Sequence, residues 1–475
     1  MGYTEIAIAK PFEGAPVINL PGVYGASCGK GILLRVPVTG ERPVNIKAEG
    51  LPEGLFIENG VIKGSVNEKG NYTVKITAEN RLGINVKEFV LEIGESINVL
   101  LTPLMGFTTW NAFASAVSQE KLEYAADKLV ELGICEYGYS YINLDSGWQK
   151  EYGGKYDAIM PNEKFPDIKA MYDKIHSYGL KGGIYSTPML TAWGCPAEFE
   201  SIPGCTTGEP NELFSHINGG IGTERKEKNN VKQWCEWGVD YLKYDWTPCD
   251  PYNAELMRSE LAKSDRDFGY CVTIGARRDY FKYWSKYCNS YRDNEDSLGY
   301  WDNFKKIFMS YLPFATYMTK GHFFDLDMFD IGDGELLGEC KYTEDEKASI
   351  YTLRAITGSP LQISCYPDAI TDFDFSLYCN EEVIAINQDT AFKPAIPYHM
   401  IEKEDKCIYS FKRELCDGSF AVAIFNLGEH VEPVCLYLDA DAEVRDVWAK
   451  KDYKGSNVNE FRMQPHTVRM FKVKQ

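Results

Sequence analysis

VDYLKYD (239–245) follows Gly238, carries a lysine two residues before its end, and closes on a carboxylate. A short apolar run behind a glycine reads as a buried strand rather than a helix. Seven further runs follow the same grammar: MGFTTW (105–110), YSYINLD (139–145), LKGGIYS (180–186), GYCVTIG (269–275), YCNSYRD (287–293), GHFFDLD (321–327) and SPLQIS (359–364). Each leads into loop residues and most into a helical stretch. One such helix is predicted to start at Ser118, a good N-cap, with Glu120 in the first turn, Leu122, Ala126, Leu129 and Val130 on one face, and Gly133 at its end. Strands alternating with amphipathic helices between about residues 98 and 390 predict an α/β fold, a (β/α)8 TIM barrel whose parallel sheet is buried on both faces.

The pattern changes on either side. In residues 1–97, ILLRVPV, NYTVKITA and VKEFVLEIG alternate apolar and polar side chains at period two between Gly, Pro and Asn turns, which predicts an N-terminal all-β sandwich. The stretch at 50–79 resembles the immunoglobulin-like modules found beside catalytic domains in bacterial carbohydrate-active proteins. This module is either a spacer or carbohydrate-facing unit, or simple structural packing. In residues 391–475, SFAVAIFNL, CLYLDA, VRDVWAK and TVRMFKV predict a C-terminal antiparallel β-sandwich.

The chain has 475 residues, and 50 Lys+Arg against 69 Asp+Glu give a net charge of −19. That field repels phosphates and anionic membrane surfaces, so no nucleic-acid or membrane partner is expected, and a neutral polar substrate suits it better. The longest basic cluster, Arg225, Lys226 and Lys228, is broken by Glu224 and Glu227 and reads as a solvated helix start. The 14 Cys are scattered without a CxxC and read as reduced, mostly buried thiols, although Cys195 and Cys205 flank a loop that would allow a bridge under oxidation. The six His show no ligand spacing, which argues against a structural zinc or a catalytic His dyad. The first residues lack the charged and apolar segments of a secretory signal, which gives a cytoplasmic expectation. A monomer or a homodimer is compatible with all of this.

In a barrel of this kind the reactive side chains gather where strands end. Here those positions are mostly acidic: Asp145, Asp245, Asp296 shortly after Arg292, Asp325 and Asp327, with Trp110 and Tyr185 ending two other runs. Carboxylates around one rim suit glycoside hydrolysis or an oxygen-coordinated cation. The 31 Tyr and 9 Trp favour sugars, whose C–H faces pack on flat rings.

Taken in order, TPLMGFTTWNAF (102–113), GYSYINLDSGWQ (138–149), LKGGIYS, WGVDYLKYD, YRDNED (291–296), DLDM (325–328) and EEVIAINQD (381–389) resemble glycoside hydrolase family 27, the α-galactosidase and α-N-acetylgalactosaminidase family. The resemblance implies a retaining, exo-acting α-glycosidase with Asp245 as nucleophile and Asp296 as general acid/base, about 5 to 5.5 Å apart. It also implies that Trp110 stacks on the sugar, that Asp145 and Lys243 hold its hydroxyls, that Tyr185 lines the pocket, and that Arg292 and Asp327 face the ring's 2-position. On this reading Lys243 lowers the pKa of Asp245, while Asp293 and Glu295 raise that of Asp296.

Three departures bear on the substrate. Where the family commonly carries Asp-Asp after the second strand, this chain has Asp145-Ser146, and losing one charge-assisted hydrogen bond is worth about 1.5–3 kcal/mol. CVTIGAR (271–277) lacks the family's Glu-Trp or Ser-Trp pattern, which leaves the 2-position substituent open. Trp246 follows Asp245 directly and is a candidate pocket wall, with Cys249 displaced downstream. The substrate is expected to be a neutral oligosaccharide or glycoside ending in a galactose-like sugar. An α-N-acetylgalactosaminide, a β-L-arabinopyranoside, an α-glucan end or a non-catalytic carbohydrate-binding role are the alternatives.

Overall fold

The computed structural model describes residues 4–95, 99–188, 225–247, 249–403 and 406–474. All eight expected barrel strands form: β1 (Met105–Thr108), β2 (Tyr141–Leu144), β3 (Lys181–Ser186), β4 (Tyr241–Asp245), β5 (Gly269–Thr273), β6 (Ser290–Tyr291), β7 (Phe323–Phe324) and β8 (Leu361–Ile363). They make one parallel sheet in the order β7-β6-β5-β4-β3-β2-β1-β8, the curled sheet of a TIM barrel. At the seam between β7 and β8 the Phe329 amide donates to the Gln362 carbonyl at 2.8 Å. The helix after β1 spans Gln119–Glu131, and the Ser118 hydroxyl accepts from the Lys121 amide. Gly133 ends it with φ 79°, a left-handed conformation that costs glycine nothing.

Alternation along each strand sorts the side chains. On β4, Leu242 and Tyr244 join the large cluster between sheet and helices, while Tyr241, Lys243 and Asp245 point into the barrel. Tyr241 packs with Leu104, Tyr141 and Cys271 to plug the lower barrel, and the polar residues lie above that plug. Gly183 on β3 is required by this filling, since a Cβ there would stand 2.1 Å from the Asn143 Oδ1.

The N-terminal region is a β-sandwich. Val23–Ser27, Gly83–Gly94, Gly70–Asn80 and Asn45–Glu49 form one sheet, and Gly31–Arg35, Val61–Ser65 and Leu55–Glu58 the other. Val74, Ile76, Phe89, Leu91 and Ile32 fill the space between. The Arg35 guanidinium donates to Glu136 Oε1 at 2.6 Å and to the Tyr178 carbonyl at 2.8 Å, and the Ser27 amide donates to Asp267 Oδ2 at 2.7 Å. Glu136, Tyr178 and Asp267 precede β2, β3 and β5, so the module docks at the end of the barrel opposite the acidic rim. Residues 4–9 run elsewhere, with the Ala7 amide bonded to the Trp448 carbonyl at 2.8 Å and the Ala9 amide to Ser376 Oγ at 3.2 Å.

A C-terminal β-sandwich completes the fold, with a six-stranded antiparallel sheet beside the pair Glu432–Cys435 and Glu460–Met463. Phe308 of the barrel's helical layer packs against Tyr409, Phe411 and Phe425 of that sheet. The strand expected through CLYLDA stops at Cys435, because Tyr437 takes φ 55° and leaves the ladder. VRDVWAK turns after Asp446, whose Oδ1 accepts from the amides of Trp448 and Ala449. Cys195 and Cys205 lie outside the described residues, and all 12 described cysteines are free. Among the described residues, no helix is long and apolar enough to cross a membrane.

Candidate active site

Among the described residues, the acidic side chains of the rim are held by neighbours. Asp145, buried at the end of β2, receives Lys243 Nζ on Oδ2 at 2.8 Å and the Ser146 amide on Oδ1 at 2.8 Å, while its own amide donates to Thr109 Oγ1 at 2.9 Å. β3 and β4 pair Tyr185 with Lys243, which brings the Tyr185 hydroxyl to Asp245 Oδ2 at 2.9 Å. Register carries on: Asp245 pairs with Thr273 on β5, and Thr273 Oγ1 accepts from Arg292 Nε at 2.7 Å. The buried Arg292 guanidinium then forks, with Nη2 donating to Asp296 Oδ1 at 2.8 Å and Nη1 lying 2.7 Å from Asp327 Oδ2. Asp327 sits at φ 70°, with its amide on Asp325 Oδ1 at 2.8 Å and its Oδ2 accepting from the Ser297 amide at 2.8 Å.

Trp110 opens the short helix Trp110–Phe113 directly after β1 and is half-buried at the same rim. Trp246 does not join the cluster as a pocket wall. It continues the outward alternation of β4, packs edge-on against Tyr244 at 5.1 Å, and donates from Nε1 to Asp250 Oδ2 at 3.0 Å, so only 5% of its surface is exposed. Ser146 is buried beside Asp145.

The electrostatics reverse the expectation for the two key acids. Burial pushes Asp245 up to about 6, against the opposing pull of Lys243 and Arg292, and the nearby Asp296 charge adds to the rise. Lys243 spends its charge on Asp145, which, against the cost of burial, holds the ammonium above its usual value. Crowding alone would raise Asp296, but Arg292 holds it below the usual carboxylate value. With 55% of that side chain accessible, the ion pair outweighs burial. Glu295 and Asp293 are exposed and do not set its state.

Sequence reading missed two supports. Thr273 anchors Arg292 through a hydroxyl that looks like any strand threonine. Arg354, fully buried in the helix Glu344–Thr357, donates from Nε to the Asp327 carbonyl at 3.0 Å and from Nη2 to Ser297 Oγ at 3.0 Å. It ties together the loops that carry Asp296 and Asp327. Its place in the apolar run IYTLRAIT marks it as buried but does not say which loops it bonds.

A TIM barrel with carboxylates, a lysine and an arginine on one rim, followed by a β-sandwich, is an arrangement that suits a glycoside hydrolase. The family model described as Alpha galactosidase A matches residues 102–205 and 215–389, and the model of the Alpha galactosidase C-terminal beta sandwich domain matches 408–473. The chain belongs to that family, glycoside hydrolase family 27, and has its glycosidase chemistry. The alpha-galactosidase of Cyamopsis tetragonoloba is 30% identical over 339 residues, 69% of this chain and 72% of that protein. An alpha-galactosidase of Oryza sativa is 25% identical, covering 78% and 84% respectively. The crystal structure of a candidate alpha-galactosidase from Bacteroides fragilis is similar with a TM-score of 0.84 and 28% identity, covering 99% of this chain and 100% of that one. The N-terminal sheets are therefore part of that similarity.

Proposed function

We propose that this protein is a retaining exo-α-glycosidase that removes a terminal galactose-like sugar from a neutral oligosaccharide or glycoside, with no metal or organic cofactor. The observation that carries the reading is the pair Asp245, at the end of β4, and Asp296, after β6, whose charges act on each other across β5 with Arg292 bonded to Asp296. Asp245 attacks the anomeric carbon while Asp296 protonates the departing oxygen. Water, deprotonated by Asp296, then releases the sugar from Asp245. Trp110 stacks on the ring, Asp145, Ser146 and Lys243 take its hydroxyls, Tyr185 orients Asp245, and Arg292 with Asp327 faces the 2-position. The N-terminal module is an immunoglobulin-like support for residues 98–390, and residues 391–475 form the closing sandwich.

The paired acids predict an unusual pH dependence. The active form carries one proton on the pair, and that form exists between the low value of Asp296 and about 6. In the free enzyme the proton rests mainly on Asp245. A bound sugar competes for Arg292 and expels water, which removes support from the Asp296 anion and moves the proton there. kcat/KM should therefore fall as pH rises through about 6, with an acid limb below the usual carboxylate range. A plateau from pH 6 to 8 would count against the shared proton.

A panel of nitrophenyl α-D-galactoside, α-N-acetyl-D-galactosaminide, β-L-arabinopyranoside and α-D-glucoside tests the substrate. The α-galactoside should be hydrolysed fastest. The arabinopyranoside is the second reading, favoured by Ser146, because a hydroxyl in place of an anion weakens the grip on a 6-hydroxyl that this sugar lacks. Arabinopyranoside ahead of galactoside by more than about tenfold would replace the first reading with the second.

A further inference from the structure

Three large apolar side chains stand in solvent beside the acidic rim: Leu298, Tyr300 and Leu336, which expose 43%, 46% and 41% of their surface. Single exposed apolar residues are ordinary, but these three belong to two loops that touch. In the first loop the residues after Asp296 alternate. The Ser297 amide is held by Asp327 Oδ2 at 2.8 Å, and the Gly299 amide by Asp330 Oδ2 at 2.9 Å. Those anchors turn positions 297 and 299 inward, so Leu298 and Tyr300 face out. The Leu298 amide is itself fixed on Asn303 Oδ1 at 2.8 Å, and the Asn303 side chain donates back to the Asp296 carbonyl at 3.1 Å.

The second loop is equally constrained. The Glu335 amide donates to the Ala112 carbonyl at 3.0 Å and the Leu336 amide to that of Asn111 at 3.2 Å, which seats Leu336 against the helix that Trp110 begins. Gly334 is packed so closely that a Cβ there would lie 2.2 Å from the Asn111 oxygen. The loops meet where a Cβ on Gly299 would lie 3.4 Å from Leu337 Cδ1. The three apolar side chains thus lie on two anchored loops that meet, one following Asp296 and the other bonded to the helix that Trp110 opens.

Chemistry decides what these side chains meet. A general acid protonates the departing oxygen, so the aglycone must lie on the Asp296 side of the scissile bond. We propose that Leu298, Tyr300 and Leu336 form an aglycone subsite that selects glycosides whose leaving group presents an apolar alkyl or aryl face. This deepens the glycosidase reading above and rests on it.

Methyl and octyl glycosides of the preferred sugar differ little in leaving-group acidity, so their ratio of kcat/KM reports contacts made by the aglycone. The wild type should favour octyl by about tenfold, equivalent to 1.4 kcal/mol, mainly through KM. In the triple variant Leu298→Ser, Tyr300→Ser, Leu336→Ser that ratio should fall to near one. Because the ratio is internal to each protein, a partly unfolded variant scales both rates alike. The α-glycosyl fluoride, which has no aglycone to bind, separates the two layers of the argument. A wild type that cleaves the fluoride but treats methyl and octyl alike overturns the subsite, as does a triple variant that keeps the preference. A folded wild type that leaves the fluoride intact overturns the glycosidase reading and the subsite with it.

Discussion

Asp245→Ala should lower kcat/KM for every glycoside by at least about 10⁴-fold, because among the described residues the other rim carboxylates are committed elsewhere. Asp145 is pinned by Lys243, Asp327 by Arg292 and the Ser297 amide, Asp325 accepts from the Asp327 amide, and Asp296 is the proposed acid on the leaving-group side. Retention of more than about 1% of wild-type turnover would move the nucleophile elsewhere. Asp245→Asn separates catalysis from folding. A carboxyl raised to about 6 in the folded chain is stabilising when protonated, and that contribution is lost as pH rises through about 6. Above that pH the ionised Asp245 is therefore a cost that the neutral amide removes. Asp245→Asn should raise the unfolding temperature at pH 7.5 and lose most of that advantage near pH 4, while remaining inactive at both. A variant less stable than wild type at pH 7.5 would show that Asp245 is held by its partners more strongly than burial opposes it.

How far the sequence reaches is seen in three residues. The eight barrel strands could be read because a parallel sheet covered on both sides needs uninterrupted apolar runs, and because the side chain that ends such a run stands at the catalytic rim. That rule puts Asp245 on the rim together with Asp145, Asp325 and Asp327, and its choice as nucleophile comes from the family resemblance. Trp246 was misread because an aromatic next to a nucleophile invites a functional role, whereas strand alternation sends it to the helical layer beside Tyr244. Lys243 does pull the pKa of Asp245 down, as expected, but its hydrogen-bond partner was not foreseen. Two residues on one strand face share a direction, but Lys243 reaches across the barrel to Asp145, 98 positions earlier. Charge pairing between strands depends on register and side-chain reach, and neither is written in local spacing. The same holds for Arg354, whose role exists only because a helix and two strand-end loops meet.

Asp296→Ala should leave an enzyme whose loss depends on the leaving group and whose pH profile runs the opposite way. Without an acid, an alkyl glycoside should lose about 10²- to 10⁴-fold, the usual worth of general acid–base assistance. A glycosyl fluoride or dinitrophenyl glycoside needs no proton for departure, so its glycosylation step should be nearly spared and hydrolysis should stall at the covalent intermediate. Added azide, which attacks without a general base, should restore turnover and yield the α-glycosyl azide if the anomeric configuration is retained. The pH dependence is the sharper test. Wild-type activity requires one proton on the pair and declines above about 6, but the variant requires only that Asp245 be ionised. Its kcat/KM on the activated substrate should therefore fall as pH drops, with a midpoint below the wild-type value, because the Asp296 charge that helped raise Asp245 is gone. If the variant instead kept the wild-type alkaline decline, the titrating proton would belong to another group. Arg292 would then be pairing with Asp296 for structure, and the acid would have to be sought among the remaining carboxylates of the rim.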